Sequence, residues 1–255
     1  MTQVSTIISA PNLRETLAIE ERALDAWPAL QTKTFAGWAL RFAGGATKRA
    51  NSVNPIAPNA EVAPVLAPAH EFYRQHGLPT IFRLTPLAAA GTDARLECDG
   101  FRRQDDSLVL SKPIDRIEKN DDAVLLAHIA DDVWRHGFAS ANGIEPAARP
   151  WHERILDAIA QPAVFATFMQ EGEAVAYGLA VAERGMVGLF DIVTKPAWRR
   201  SGAASRLIAS LIGWGAMAGA QTAYLQVVVG NHAARALYGK LGFAERYQYH
   251  YRILD

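Results

Sequence analysis

The segment Thr194-Lys195-Pro196-Ala197-Trp198-Arg199-Arg200-Ser201-Gly202-Ala203-Ala204 sets two arginines followed by four small residues, Ser201 to Ala204, where an apolar run gives way to a helical pattern. The first backbone N–H groups of a helix have no intrahelical partner, and the positive end of the macrodipole lies among them. Together these bind phosphate oxygens. Gly202 and the two alanines let a bulky anion approach the backbone, and Arg199 and Arg200 add positive charge beside it. The residues by themselves predict an anion site that suits a pyrophosphate. The Gly-Lys-Ser/Thr ending of a Walker loop is missing, and so is the G-x-G-x-x-G spacing of a dinucleotide fingerprint. A tight strand–helix turn with two solvated arginines has the same composition, so the loop alone leaves both readings open.

The elements that position this loop follow from hydrophobic periodicity. Three strands, Val164 to Met169, Ala174 to Ala182 and Met186 to Thr194, are joined by turns at Glu171-Gly172 and Arg184-Gly185, an antiparallel meander. Leu207, Ile208, Leu211 and Ile212 mark the inner face of a helix over Ala203 to Ala218. Tyr224 to Val229 read as a buried central strand, Ala233 to Leu241 as a helix stopped by Gly242, and Phe243 to Leu254 as a last strand. Upstream, Asp121 or Asp122 is expected to cap a helix with Val124, Leu125, Ile129 and Val133 on one face, followed by a short helix over Trp151 to Ala160. The order is ααβββαβαβ. In the first half, Asn12 caps an amphipathic helix ending before Pro28, Gly37 to Phe42 and Thr80 to Leu84 read as strands, and helices are expected at Ala69 to His76 and Thr92 to Cys98, before a strand near Ser107 to Leu110. Lys112 to Asp122, with Pro113 and several charges, read as a linker, giving domains over 1–112 and 121–255.

The chain has 255 residues, half of them apolar and a fifth charged, with formal net charge zero. No overall electrostatic pull toward nucleic acid or an anionic membrane is expected. The single cysteine, Cys98, is expected to be a buried structural thiol, and a lone cysteine points to a reducing, cytoplasmic compartment. No Cys/His cluster suggests a metal. The N-terminus lacks the pattern of a signal peptide, and Leu207 to Ala220 is too short to span a bilayer.

The second half resembles the Gcn5-related N-acetyltransferase (GNAT) superfamily. The family pattern Gln/Arg-x-x-Gly-x-Gly/Ala is matched by Arg199, Gly202 and Ala204. The later pattern Asn-x-x-Ala-x-x-Leu-Tyr-x-x-x-Gly-Phe is matched by Asn231, Ala234, Leu237, Tyr238, Gly242 and Phe243. The resemblance covers roughly Asp121 to Asp255. It implies an α+β fold with a mostly antiparallel central sheet, and acetyl-CoA as co-substrate without a metal. By the same resemblance, amides of Arg200, Ser201, Gly202, Ala203 and Ala204, beside Arg199, would hold the CoA pyrophosphate. The strand end Ile192-Val193-Thr194 would pair with the pantetheine arm, Asn231 would contact CoA, and Tyr238 would protonate the departing thiolate. Thr194 stands where the family usually has an apolar residue. Asp191 lies near where the family often places a carboxylate, and either it or a water it binds is the expected base; a surface carboxylate is the other reading. Glu145 and Glu153 are weaker choices, and His136 and His152 read as packing or surface residues.

The first half carries echoes of the second. Glu71 to Leu78 place Tyr73 before a helix-ending glycine, and Asp99-Gly100-Phe101 precede a strand as Leu241-Gly242-Phe243 do. This half therefore resembles a degenerate GNAT fold in a tandem arrangement. It has no Arg-x-x-Gly-x-Ala loop and is not expected to bind CoA. The polar segment Gly44 to Ser52 either lines the acceptor pocket or is a solvated hairpin turn. The expected function is N-acetyl transfer to a primary amine of a small or amino-acid-like acceptor, by a monomer or homodimer. The alternative is a silent acyl-CoA-binding sensor.

Overall fold

The computed structural model describes residues 12–116 and 120–255. The N-terminal residues on which the signal-peptide reading rests, 1–11, and residues 117–119 of the expected linker lie outside the described residues. The first half runs α1 (Leu13–Ala26), β1 (Gln31–Phe35), β2 (Trp38–Phe42), β3 (Val53–Pro55), α2 (Leu66–Gln75), β4 (Thr80–Leu84), α3 (Thr92–Cys98) and β5 (Arg102–Pro113). The second runs β6 (Val124–Ala127), α4 (Asp132–Asn142), α5 (Arg149–Asp157), β7 (Ala163–Gln170), β8 (Glu173–Glu183), β9 (Met186–Thr194), α6 (Ala203–Met217), β10 (Thr222–Val228), α7 (His232–Lys240) and β11 (Ala244–Leu254). Local chemistry sets the helix starts: Asn12 Oδ1 accepts from the amides of Arg14 and Glu15, and Asn231 Oδ1 from that of Ala234.

All the strands join one sheet in the order β1-β2-β3-β4-β11-β5-β10-β9-β8-β7-β6. The two halves exchange their last strands. β11, at the end of the second half, pairs with β4 of the first; β5, at the end of the first, pairs with β10 of the second; and β5 and β11 pair with each other. The fold is thus α+β as expected, with its two halves interlocked at the centre.

One face of the sheet carries α2, α3, α6 and α7, and the other carries α1, α4 and α5. On the α6 face Leu207, Ile208 and Leu211 pack over Val164, Ala180 and Leu189. On the other, Ile19, Trp27, Phe138 and Ile155 meet Phe190, Tyr224 and Tyr251, so this core draws on both halves. It also contains a charge pair: Glu20 of α1 accepts from the Arg83 guanidinium of β4 and, at 2.6 Å, from the Tyr247 hydroxyl of β11. The Arg83 guanidinium lies 3.8 Å from the Tyr249 ring centroid.

Two expectations are corrected. The helix expected after Asp121 is replaced by an edge strand, because Asp121 caps a turn through the Ala123 amide and Val124–Ala127 pair with Phe165–Phe168 of β7. The helix begins only at Asp132, whose N-cap is Asp131. Ile129 and Val133, expected to share one face of that helix with Val124 and Leu125, are 74% and 77% exposed. A short apolar run fits either period, and the sheet edge decided it. The second half therefore reads βααβββαβαβ. Cys98, expected to be buried, is exposed. Helix α3 buries Thr92 and Leu96 on one stripe, and Cys98 lies two residues further round.

Candidate active site

The site begins where β9 and β10 part. They run parallel and pair from Thr222 beside Met186 to Leu225 beside Leu189, and no further. Beyond that point β10 stays with β5, with Gln226, Val227 and Val228 opposite Val109, Leu108 and Ser107. β9 stays with β8, with Val193 and Thr194 opposite Tyr177 and Ala176. The result is a wedge-shaped gap in the middle of the sheet. The Lys195 amide donates to Val175 of the β8 side, so alternation turns the amides of Ile192 and Thr194 toward the gap. Unpaired strand groups of this kind accept an extended, amide-bearing chain.

A β-bulge lies at the apex. The register shifts between Tyr177 and Leu179, and Asp191 takes φ +50°. A non-glycine residue in this region is strained, and such residues gather at functional sites. The bulge turns Asp191 to the α5 face, where its carboxylate meets His152 Nε2 at 2.8 Å. His152 is buried against Phe138, the rings stacked at 5.2 Å, with Trp27 at 5.7 Å. Sequence reasoning placed His152 among packing residues; it does pack, but it also holds the Asp191 carboxylate. The two lie thirty-nine residues apart, and no local pattern links them. His136 has no such partner, and Glu145 and Glu153 lie outside this cluster.

The anion loop closes the open end of the gap. After a single turn at Pro196–Trp198, Arg200 adopts φ +63° and Gly202 φ +89°. Gly202 caps α6 with no side-chain bond to the helix, and Ser201 Oγ donates to the Trp198 carbonyl. Arg199, Arg200, Ser201 and Gly202 are exposed, while Ala203 is buried and anchors the helix start. The Ala203 amide donates to Ser201 Oγ at 3.4 Å; the remaining amides of the turn and the helix dipole face outward beside two guanidinium groups. Gly202→Ala puts a Cβ into left-handed backbone at a cost of about 1–2 kcal/mol. We expect the melting midpoint to drop by about 2–8 °C, read by thermal unfolding.

On the far lip, Asn231 spends its side-chain oxygen on the α7 cap, which leaves its amide nitrogen available. Tyr238 lies on the inner stripe of α7 against Phe243. Burial pushes its hydroxyl up to about 12, and it makes no hydrogen bond to a described residue. Ile192 packs against the same apolar cluster as Tyr238, on the α6 face of the gap. A separate cavity of about 440 Å³ lies on another stripe of α7, lined by Leu108, Leu110, His232, Arg235, Phe243 and Glu245; it shares Phe243 with the Tyr238 contact but takes in neither the end of β9, the Arg199–Ala204 loop nor Asn231.

The segment Gly44 to Ser52 folds over the α1 face at the apex. Asn51 fixes it, accepting from the amides of Ala43 and Gly45 and donating to the Thr47 carbonyl. Gly44 lies so close to Trp151 of α5 that a Cβ would fall 1.9 Å from the indole. Among the described residues no group of three or more His, Cys, Asp or Glu side chains is arranged to hold a metal ion, and no helix is long and apolar enough to cross a membrane.

Comparison with known proteins fits this geometry. Residues 14–252 match the family described as probable histone acetyltransferase Rv0428c, C-terminal. The chain is 30% identical over 240 residues to an uncharacterized N-acetyltransferase, YobR, of Bacillus subtilis, covering 92% of this chain and 97% of that protein. Among solved structures, a GCN5-related N-acetyltransferase from Kribbella flavida superposes with a TM-score of 0.70 at 14% identity, over 93% of this chain and 94% of the other. A tandem GNAT protein from the clavulanic acid biosynthesis pathway superposes with a TM-score of 0.62 at 12% identity, over 92% and 87%.

Proposed function

Because the chain belongs to the GNAT superfamily, within the family described as probable histone acetyltransferase Rv0428c, C-terminal, we propose that it moves an acetyl group from acetyl-CoA to a primary amine of a small, amino-acid-like acceptor. The coarser activity, acetyl transfer of the GNAT type, comes with the family. The donor and the acceptor are the proposal. The observation that carries it is the gap between β9 and β10, with free amides along one edge and an anion loop at its mouth. Its backbone donors suit the pantetheine arm, and the loop suits the pyrophosphate.

The residues divide the chemistry as follows. Amides at Arg200 to Ala204 hold the pyrophosphate oxygens, with Arg199 and Arg200 adding charge. The amides of Ile192 and Thr194 pair with the pantetheine arm, with Val193 between them turned to the opposite face. An amide at this strand end stabilises the oxyanion formed when the amine nitrogen attacks the thioester carbon. Asn231 reaches CoA through its free amide nitrogen. As the C–S bond breaks, Tyr238 gives its proton to the thiolate sulfur. Asp191, held in place by His152, takes the proton that the amine nitrogen loses, directly or through a water. Placement of donor and amine in one cleft supplies much of the rate.

Acetyl-CoA at a hundred times its Kd should stabilise the fold by about 2.7 kcal/mol, read as a rise in melting temperature. No rise at millimolar acetyl-CoA would falsify the donor assignment. Release of free thiol across a panel of amines then separates an enzyme from a silent acyl-CoA sensor: binding without turnover favours the sensor. The family's printed description also raises a protein amine as acceptor. A formal net charge of zero gives no general attraction to a basic histone tail, so the small-acceptor reading is preferred.

A further inference from the structure

The segment Gly44 to Ser52 has no part in the chemistry above, yet it places a cation at the apex of the gap. Arg49 lies 5.6 Å from the Trp27 ring centroid and 5.5 Å from that of Phe190. Phe190 is the first residue of β9 past its last pair with β10, and it is the immediate neighbour of bulged Asp191. Arg49 is half-buried, while the Trp27 and Phe190 rings beneath it are buried. The guanidinium is thus seated over two buried rings at the apex of the gap.

Three charges near Arg49 are already paired. Lys48 pairs with Asp105, Glu20 with Arg83, and Asp191 with His152. Neighbouring Arg41 is buried and donates to the carbonyls of Leu24, Trp27 and Arg49. Arg49 itself makes no side-chain hydrogen bond or ion pair with a described residue, and its Nε is buried without a partner. A second unpartnered donor lies close by. Gln226 is the first residue of β10 past the last pair and shares a face with Tyr224, whose ring meets that of Phe190 at 6.2 Å. Its Oε1 accepts from the Tyr249 hydroxyl at 3.0 Å, which leaves Nε2 buried and unused. A buried donor without an acceptor is costly. Arg83 Nε is a third such donor on this face, but its guanidinium already serves Glu20; Arg49 and Gln226, beside the expected point of attack, call for an acceptor atom from the substrate.

We propose that Arg49, assisted by Gln226, binds a carboxylate on the acceptor, so that the substrate class is the amino carboxylates and the first half of the chain sets specificity. The proposal rests on the acetyltransferase reading for its placement of the amine. A planar carboxylate matches the forked guanidinium, which holds it in two parallel hydrogen bonds. With the carboxylate fixed at Arg49, the amine of the same small molecule is directed toward Asp191 and the gap.

The test compares matched amines, each with and without the carboxylate: tyrosine with tyramine, tryptophan with tryptamine, and β-alanine with O-phosphoethanolamine as a phosphate arm. A charged hydrogen bond contributes about 1.5–3 kcal/mol, so kcat/KM should favour the carboxylate member by about 10–100-fold. Arg49→Leu should abolish that ratio, Arg49→Lys should keep part of it, and the acetyl-CoA thermal shift should persist in both. A ratio near one in the wild type, or a ratio that survives Arg49→Leu, overturns the proposal, as does preference for the phosphate arm. If no amine is turned over, the transferase reading fails by itself. Calorimetry with the same carboxylates on the CoA-saturated protein then decides the Arg49 claim: binding to wild type and not to Arg49→Leu supports it, and no binding sinks it.

Discussion

Tyr238→Phe is expected to lower kcat by about 100-fold or more, the usual contribution of a positioned acid, with little change in acetyl-CoA affinity. The ring and its contact with Phe243 remain, so the fold and the donor site should be intact. Only the proton for the leaving sulfur is lost. Because burial pushes the hydroxyl up to about 12, Tyr238 keeps its proton through neutral and mildly alkaline pH. The wild-type pH profile of kcat should therefore show no alkaline loss from this group until the pH nears 12. The sign for stability is the same: the folded state holds this proton more tightly, so its contribution is complete below the ordinary tyrosine value near 10 and fades as pH rises through about 12. Steady-state kinetics on the two proteins decides the matter, and equal turnover would remove Tyr238 from its role.

Glu20→Ala should be the most destabilising single change. It leaves the Arg83 guanidinium buried without its counter-charge and takes the acceptor from the Tyr247 hydroxyl. Breaking one side of a buried pair costs about 3–5 kcal/mol, or about 6–20 °C in melting midpoint. The double variant Glu20→Leu with Arg83→Met removes both charges and should recover much of that loss. A single variant that melts with the wild type would show that the pair contributes nothing. The effect should reach function as well. Glu20 ties α1 to β4 and β11, and the same helix leads to Trp27, the ring under Arg49.

Much of this molecule is written in local sequence. Period and caps placed the meander over β7, β8 and β9 and the helices α6 and α7 to within a residue or two of their observed ends, because those signals depend on neighbours within one turn or one pleat. The same holds for the loop at Arg199 to Ala204. Glycine at φ +89° before a helix of small residues is a local requirement, and it produces outward-facing amides wherever the chain goes.

The tertiary structure decided what depends on distant surfaces meeting. Val124–Ala127 became a strand because β7 had a free edge. Cys98 faced outward because its helix buried the Thr92 and Leu96 stripe. Nothing in β5 or β11 marks the exchange between the halves: the unbroken buried run Ser107–Ser111 of β5 and the alternating tyrosines of β11 suit a central strand in either half. The bulge that turns Asp191 toward His152, and the fold of Gly44 to Ser52 that sets Arg49 on Trp27 and Phe190, are likewise the work of packing across both halves. Sequence thus determined the loop at Arg199 to Ala204, where a short stretch of backbone carries the signal. The cluster of Asp191, His152 and Arg49 is assembled from residues far apart in the chain, whose positions follow only once the shared core has closed around them.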